Sequence, residues 1–324
     1  MKKRLASVVL LILGVLTSSG CSKPAVPKET HVLTVSVPDG IPALTMAKMI
    51  EEDTQISENI SLQYTIEKTT DVLAAKVFSK EADIAIVPSN LAAQSYNKEL
   101  GYKIAATGSW GSFYLISEGA IGDTDLLKEK EITTIGKNLT PDLILRHILN
   151  LKQINPDEDV TINYLNGATE LAPNFIGGKA EIASVPEPML SMIMSKKPDT
   201  HIIIDFNEEW KSAHESKNGY PQSSLIIKTE VLIAHKAEIE LFLKQYQESI
   251  EWGNANPDQL GEYAEKLELA VSKEVLPEAL KRANMKYVST EESKKDYNDF
   301  FGVLFEMEPK TIGGKIPDEG IYFK

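Results

Sequence analysis

The sequence predicts an α/β protein of two similar lobes, each a mostly parallel sheet flanked by helices, joined by two hinge crossings. Three observations carry this. The pattern strand, loop, helix, strand, helix, strand, loop, helix runs twice along the chain, as expected of open, mostly parallel sheets. The 324 residues exceed the length at which one core keeps growing. After the second copy ends near Asn218-Gly219-Tyr220-Pro221, Ser223-Ser224-Leu225-Ile226-Ile227 reads as a further strand. That strand returns the chain to the first lobe and makes the crossing double.

Taken in order, the chain opens on Met1-Lys2-Lys3-Arg4, an apolar run from Leu5 to Leu16, and Thr17-Ser18-Ser19-Gly20-Cys21. A basic start, a short apolar stretch and small residues make residues 1–20 a signal peptide. The apolar stretch falls short of the ~20 residues that cross a bilayer. Cys21 is the single cysteine and staples nothing. Its setting resembles a bacterial lipobox, with Ser18 where leucine is usual, so Cys21 is the expected lipidation site. Residues 21–31, with Pro24 and Pro27, read as a tether. The expected place is the outer face of the cell membrane, lipid-anchored. The formal net charge of −13 grows more negative once the leader's basic residues leave, which argues against nucleic acid as a partner.

Val32 to Val37 is the first strand, stopped by Pro38-Asp39-Gly40, and a helix runs from about Pro42 to Ile50. Ile132 to Gly136 is its counterpart, followed by Lys137-Asn138-Leu139-Thr140 and a helix opening at Pro141. Pro42 and Pro141 stand 99 positions apart. Each sits in a first helical turn, where a missing N–H costs nothing. Asp71 and Glu170, again 99 apart, open the next helices. Ala82-Asp83-Ile84-Ala85-Ile86-Val87-Pro88 then matches Ala180-Glu181-Ile182-Ala183-Ser184-Val185-Pro186 at an offset of 98. The first lobe is expected over residues 32–117 and 222–324, the second over 118–221. His235 to Phe305 reads as helical and packed outside the first lobe.

These segments, with Gly108-Ser109-Trp110-Gly111-Ser112-Phe113-Tyr114-Leu115, Thr140-Pro141-Asp142, Gly178 through Pro188 and Ser249-Ile250-Glu251-Trp252, carry a family resemblance. Ile312-Gly313-Gly314-Lys315-Ile316-Pro317-Asp318 and Tyr322 extend it. From about Val32 onward the chain resembles the type II periplasmic binding proteins, in the branch of nitrate-, taurine- and alkanesulfonate-binding proteins and thiamine-precursor binders. The resemblance implies a monomeric protein that closes over a small organic solute, sulfonate-, taurine- or pyrimidine-like, and passes it to an ABC permease. It is specific for the branch and silent on the ligand.

Ligands of such sheets lie beyond the carboxyl ends of the strands. The candidate contacts are therefore Asp39, Gly40, Ile41 and Pro42; Thr70, beside Thr69; Ser89 and Asn90; Trp110 and Gly111; Asn138, Thr140 and Pro141; and Glu187. Backbone N–H groups at helix starts are ready donors, although Asp39, Ser89, Asn138 and Thr140 serve equally well as caps. Trp110, between Gly108 and Gly111, reads as a stacking wall, with core packing as the alternative. Trp210 and Trp252 read as packing. Glu187 is held extended by Pro188, and ligand contact or lobe closure is its expected duty.

Catalysis finds no signature. The five histidines never fall at helical metal-ligand spacing, and neither a Gly-rich phosphate loop nor a Gly-x-Ser-x-Gly elbow occurs. No cofactor and no metal are expected. His147, beside Arg146, reads as a surface or packing residue. The rival classes are a same-fold enzyme, which export argues against, and an extracellular sensor. Beyond the leader the arginines are Arg146 and Arg282, both in predicted helices, so an arginine clamp for an anion is not expected. Asp39 and Glu187, if unpaired in the cleft, favour a neutral, zwitterionic or cationic solute.

Overall fold

The computed structural model describes residues 31–165 and 168–324. The signal peptide, Cys21 and the tether up to Thr30 lie outside the described residues. The first copy of the repeat is β1 (His31–Pro38), α1 (Ile41–Glu51), β2 (Ile60–Glu67), α2 (Thr70–Phe78), β3 (Ile84–Pro88) and α3 (Ser89–Asn97). The chain then runs through β4 (Tyr102–Trp110) and β5 (Phe113–Ser117). The second copy is β6 (Glu131–Ile135), α4 (Thr140–Leu151), β7 (Thr161–Leu165), α5 (Ala168–Ile176), β8 (Ile182–Pro186) and α6 (Met189–Lys196). It is followed by β9 (His201–Asp205), α7 (Phe206–His214) and β10 (Pro221–Lys228). The remainder is α8 (Thr229–Ala234), α9 (Lys236–Ala255), α10 (Pro257–Lys266), α11 (Leu276–Leu280), β11 (Met285–Ser289) and α12 (Thr290–Met307).

The sheets repeat one plan. The six-stranded sheet is ordered β11-β4-β10-β3-β1-β2 and the five-stranded sheet β7-β6-β8-β5-β9. In each, the three strands of the repeat are parallel, with the first in chain order between the other two. The next strand in each sheet enters from the other lobe and runs antiparallel: β10 against β3, and β5 against β8. Parallel pairing thus describes the repeat strands, and each whole sheet is mixed. One boundary moves accordingly. Residues 113–117, assigned from sequence to the first lobe, are β5 of the second sheet, paired with β8 and β9. A buried apolar strand carries no mark of which sheet it joins; hydrogen-bond register decides. β11 was also not foreseen, because five residues between helices give too short an alternation to read.

Local chemistry accounts for the helix starts. Gly40 takes φ 99°, a left-handed value that glycine adopts without a Cβ penalty, and Pro42 follows in the first turn. Thr69 caps α2 through the Val72 N–H, Asp205 caps α7 through Asn207 and Glu208, and Ser289 caps α12 through Glu292.

The core has three parts. One face of the first sheet, with Val35, Val37, Ile84 and Leu225, packs on α1 and α9 through Met46, Phe242 and Tyr246. One face of the second sheet, with Tyr114, Ile116 and Val185, packs on α5 and α6 through Phe175 and Leu190. The remaining faces share a continuous core. Val87, Ile104 and Ile226 of the first sheet join Leu115, Ile132 and Ile182 of the second by way of Trp210, Tyr220 and Phe300. Trp210 meets Tyr220 and Phe300 edge-on at 5.6 and 6.0 Å between ring centres.

Candidate functional site

The carboxyl ends of the parallel strands converge on the crossings. Pro88 of β3 pairs with Ser223 and Pro186 of β8 pairs with Phe113. The crossing segments Trp110–Phe113 and Tyr220–Pro221 lie side by side, with the Gly111 N–H donating to the Tyr220 carbonyl at 3.0 Å. The strand ends of both sheets therefore lie beside the crossings, the place where a cleft between the lobes is expected to take a ligand. A groove of about 590 Å³ lined by Lys103, Thr229, Ile233 and Tyr322 lies beside the amino end of β4, at the opposite pole of the first lobe.

Around the cleft, the expected contacts divide. Asp39 is not free: Oδ1 accepts from the Gly40 N–H at 2.7 Å and the Ala270 N–H at 3.0 Å, and Oδ2 pairs with Lys68 at 2.9 Å. Ile41 is buried in the core, while Gly40 and Pro42 are half-buried. Thr70 is exposed in the first turn of α2. Ser89 is buried and bonds Ser224 at 2.7 Å, in a network that continues to Tyr297 at 2.6 Å and Thr107 at 2.8 Å. Asn90 donates to the Thr311 carbonyl at 3.4 Å. Asn138 is exposed, and Thr140 and Pro141 are half-buried at the start of α4.

Trp110 is 1% exposed, and its indole N–H donates to the Lys286 carbonyl at 3.1 Å. In this arrangement the ring has no open face, so core packing is what it does here. Its flanking glycines have packing reasons too. A Cβ on Gly108 would lie 1.8 Å from the Tyr246 hydroxyl, and one on Gly111 would lie 2.2 Å from the Tyr220 ring. What approaches these positions closely is the protein's own tyrosines. Trp210 lies in the shared core, and Trp252 stacks on Tyr263 at 5.2 Å.

Glu187 is where the lobes meet. Its peptide bond to Pro188 is cis. Its N–H donates to the Ser112 carbonyl at 2.9 Å, and its carboxylate is fully buried. Oε1 accepts from Arg282 Nε at 2.6 Å and from the Ser191 hydroxyl at 2.9 Å; Oε2 accepts from the Ser191 N–H at 3.1 Å. Burial pushes the carboxyl above the ordinary carboxylate range, with Arg282 and Ser191 pulling the other way. Arg282 is not inside a helix, as the sequence suggested, but in the turn after α11. The premise of unpaired cleft carboxylates therefore fails, since Asp39 and Glu187 both have cationic partners. Arg282 was missed because nothing local marks a contact between residues 95 positions apart, whereas Ser191 lies only four residues after Glu187 in the first turn of α6, where a side chain reaching forward to a helix N–H is a local signal.

Four of the helix starts bordering the cleft carry a carboxylate, whereas α2 is capped by the Thr69 hydroxyl and α3 by no side chain. The Gly40 N–H before α1 is taken by Asp39, the Asn138 N–H before α4 by Asp142, the Ser191 N–H in α6 by Glu187, and the first N–H groups of α7 by Asp205. At α6 and α7 the carboxylate takes N–H groups of the first turn, where a helix dipole would hold an anion, whereas at α1 and α4 it bonds an N–H just before the helix and no side chain caps the first turn. Arg146 is likewise engaged, with the buried Asp142 at 2.9 Å, Asp157 at 2.7 Å and the Tyr164 hydroxyl at 3.1 Å.

Away from the cleft, α4 and α7 bring His147 and His214 together, Nε2 to Nε2 at 3.0 Å, with His214 stacked on Trp210. Among the described residues no three metal-ligating side chains come together, and no helix is long and apolar enough to cross a membrane.

The chain matches no family model and no curated protein sequence. Solved structures do match. An ABC transporter from Parabacteroides distasonis aligns at TM-score 0.78 with 27% identity, over 90% of this chain and 99% of that chain. The periplasmic aliphatic sulphonate binding protein SsuA from Escherichia coli aligns at TM-score 0.72 with 12% identity, over 90% and 92%. The periplasmic nitrate-binding protein NrtA from Synechocystis PCC 6803 aligns at TM-score 0.63 with 12% identity, over 88% and 84%. The fold is thus that of the two-lobed solute-binding proteins of ABC importers, as the sequence resemblance implied.

Proposed function

We propose that this chain is the solute-capturing component of an ABC importer, exported by residues 1–20, lipid-anchored through Cys21 at the outer face of the membrane, and a binder with no catalytic role. The crossed topology carries the reading: two sheets whose parallel strand ends lie beside the crossings, linked by adjacent segments about which lobes can turn. Ligand touching both lobes stabilises the closed arrangement, which the permease then recognises. We place the solute beside Asp39 to Pro42, Thr70, Ser89, Asn90, Asn138 to Pro141 and Glu187, with main-chain groups as the principal contacts.

Lys68, Arg146 and Arg282 are each already engaged by a carboxylate, so a neutral, zwitterionic or cationic small organic molecule stays ahead of a plain anion, which would need a free cation to hold it. An aminosulfonate or an aminopyrimidine suits such a cleft better than nitrate. Thermal-shift and calorimetric titration of the protein with nitrate, an alkanesulfonate, taurine and an aminopyrimidine tests this. A true ligand at 100 times its Kd adds about 2.7 kcal/mol to stability. Tight binding of nitrate, or no binding by any organic solute of the panel, would count against the ligand class. The anchor has a separate test, since Cys21→Ala should abolish palmitate labelling and release the protein from membranes.

A further inference from the structure

Two side chains that the sequence kept apart tie the lobes to each other beside the crossing. Arg282, in the turn after α11 of the first lobe, donates Nε to Glu187 at 2.6 Å and Nη2 to the Ser191 hydroxyl at 2.7 Å, both in the second lobe. The turn is itself fastened to the crossing. The Tyr114 hydroxyl donates to the Arg282 carbonyl at 2.8 Å, Asn284 Nδ2 donates to the Gly111 carbonyl at 2.6 Å, and the Trp110 N–H donates to the Asn284 carbonyl at 3.1 Å. Glu187, for its part, holds the Ser112 carbonyl through its N–H. Glu187 is therefore anchored directly to the crossing segment Trp110–Phe113, and Arg282 through Tyr114 at the start of β5 and through Asn284, two residues on, which bonds Trp110 and Gly111.

We infer that Arg282 is a positioning residue which, with Glu187 and Ser191, forms a clasp fixing the pivot of lobe motion. Atoms so near the crossing travel little when the lobes turn, whereas the rims at Val72 of α2 and Leu139 before α4 travel far. Separating the clasp would leave a fully buried carboxylate without its cation, the arrangement that removal of one partner of a buried pair makes costly. Motions that keep the pair intact are selected over motions that part it. The clasp then confines the lobes to one hinge path and holds the Pro186-Glu187-Pro188 turn, one wall of the cleft, against the crossing. This deepens the solute-capture reading by naming what guides closure, but its primary test needs no ligand.

Spin-label distance measurements on the ligand-free protein carrying Cys21→Ser would test it. One label pair spans the rims, Val72→Cys with Leu139→Cys, both exposed. The other spans the clasp side, Lys281→Cys with Ser195→Cys, also exposed. The clasp pair should give one narrow distance and the rim pair a wider spread. Arg282→Gln should broaden the clasp pair at least twofold, Arg282→Lys should keep it narrow, and Ser191→Ala, a milder change should Arg282→Gln fold poorly, should fall between. Equal widths at the two pairs in the unaltered clasp, or a clasp pair left narrow by both Arg282→Gln and Ser191→Ala, would overturn the inference. Where a solute from the panel binds, its apparent Kd in Arg282→Gln should rise by the factor by which the competent fraction falls. Failure of the solute panel would bear on ligand class alone, because the distances are read without ligand.

Discussion

Glu187 and His147 show how far a residue's surroundings can depart from its type. Glutamate is mostly a surface residue, yet here its carboxylate is buried and saturated by Arg282 and Ser191. His147 is held down to about 4 from an ordinary 6.5 by burial, with His214 beside it. His214 is lowered by burial as well, Lys295 adding to the effect and Asp299 opposing it. The folded protein therefore binds fewer protons than the unfolded chain between those values, so stability is lost as pH falls from about 6.5 toward 4. We predict that His147→Gln removes roughly 1–2 kcal/mol of that loss, after discounting for the ring's partial exposure. Urea midpoints at pH 7.5, 6 and 5 would read this as a shallower slope in the variant; parallel slopes would assign the acid sensitivity elsewhere.

Among the elements, the crossing segments are the least tolerant of added atoms. A Cβ on Gly219 would lie 1.8 Å from Asn207 Oδ1, and the residue takes φ +101°. Asn207 is buried and wedged between the two crossings, its Nδ2 on the Asn218 carbonyl at 3.2 Å. Gly219→Ala should therefore cost more than about 2 kcal/mol, by strain together with displacement of Asn207. Gly302 provides the contrast, since its Cβ would meet nothing within 4 Å in the middle of α12. Gly302→Ala should stabilise by roughly 0.5–1 kcal/mol through helix propensity alone. Chemical denaturation of the pair is decisive: equal and opposite to this order would mean the crossings are slack. The spacing of the repeat made these helices and strands readable, yet which glycines are tight was hidden, because the atoms that crowd them come from α7, α9 and the other crossing.

On the scale of the whole molecule, the shared core sets the expected behaviour. Two lobes of this size would ordinarily unfold in steps, but Trp210, Tyr220 and Phe300 join the inner faces of both sheets in one cluster. Asp296 of α12 adds bonds to Ser216 at 2.7 Å and Asn218 at 3.1 Å in the second lobe's last turn. We predict a single calorimetric transition with equal calorimetric and van't Hoff enthalpies. Phe300→Ala should cost about 3–5 kcal/mol and split the transition in two. A biphasic trace from the unaltered protein would show the lobes to be thermally independent.

By itself the sequence determined the alternation of strands and helices, the duplication and the return of the chain at Ser223, because periodicity, caps and prolines act within a few residues of themselves. The strand ends, where a ligand of such sheets is expected, are readable for the same reason: where a strand stops and a helix starts is local information. Tertiary structure alone decided that Phe113–Ser117 joins the second sheet, that Gly108 and Gly111 make room for tyrosines, that His147 meets His214, and that Glu187 is held by Arg282. Each of those depends on which surfaces lose water together, and desolvation between segments distant in sequence leaves no periodic trace in either of them.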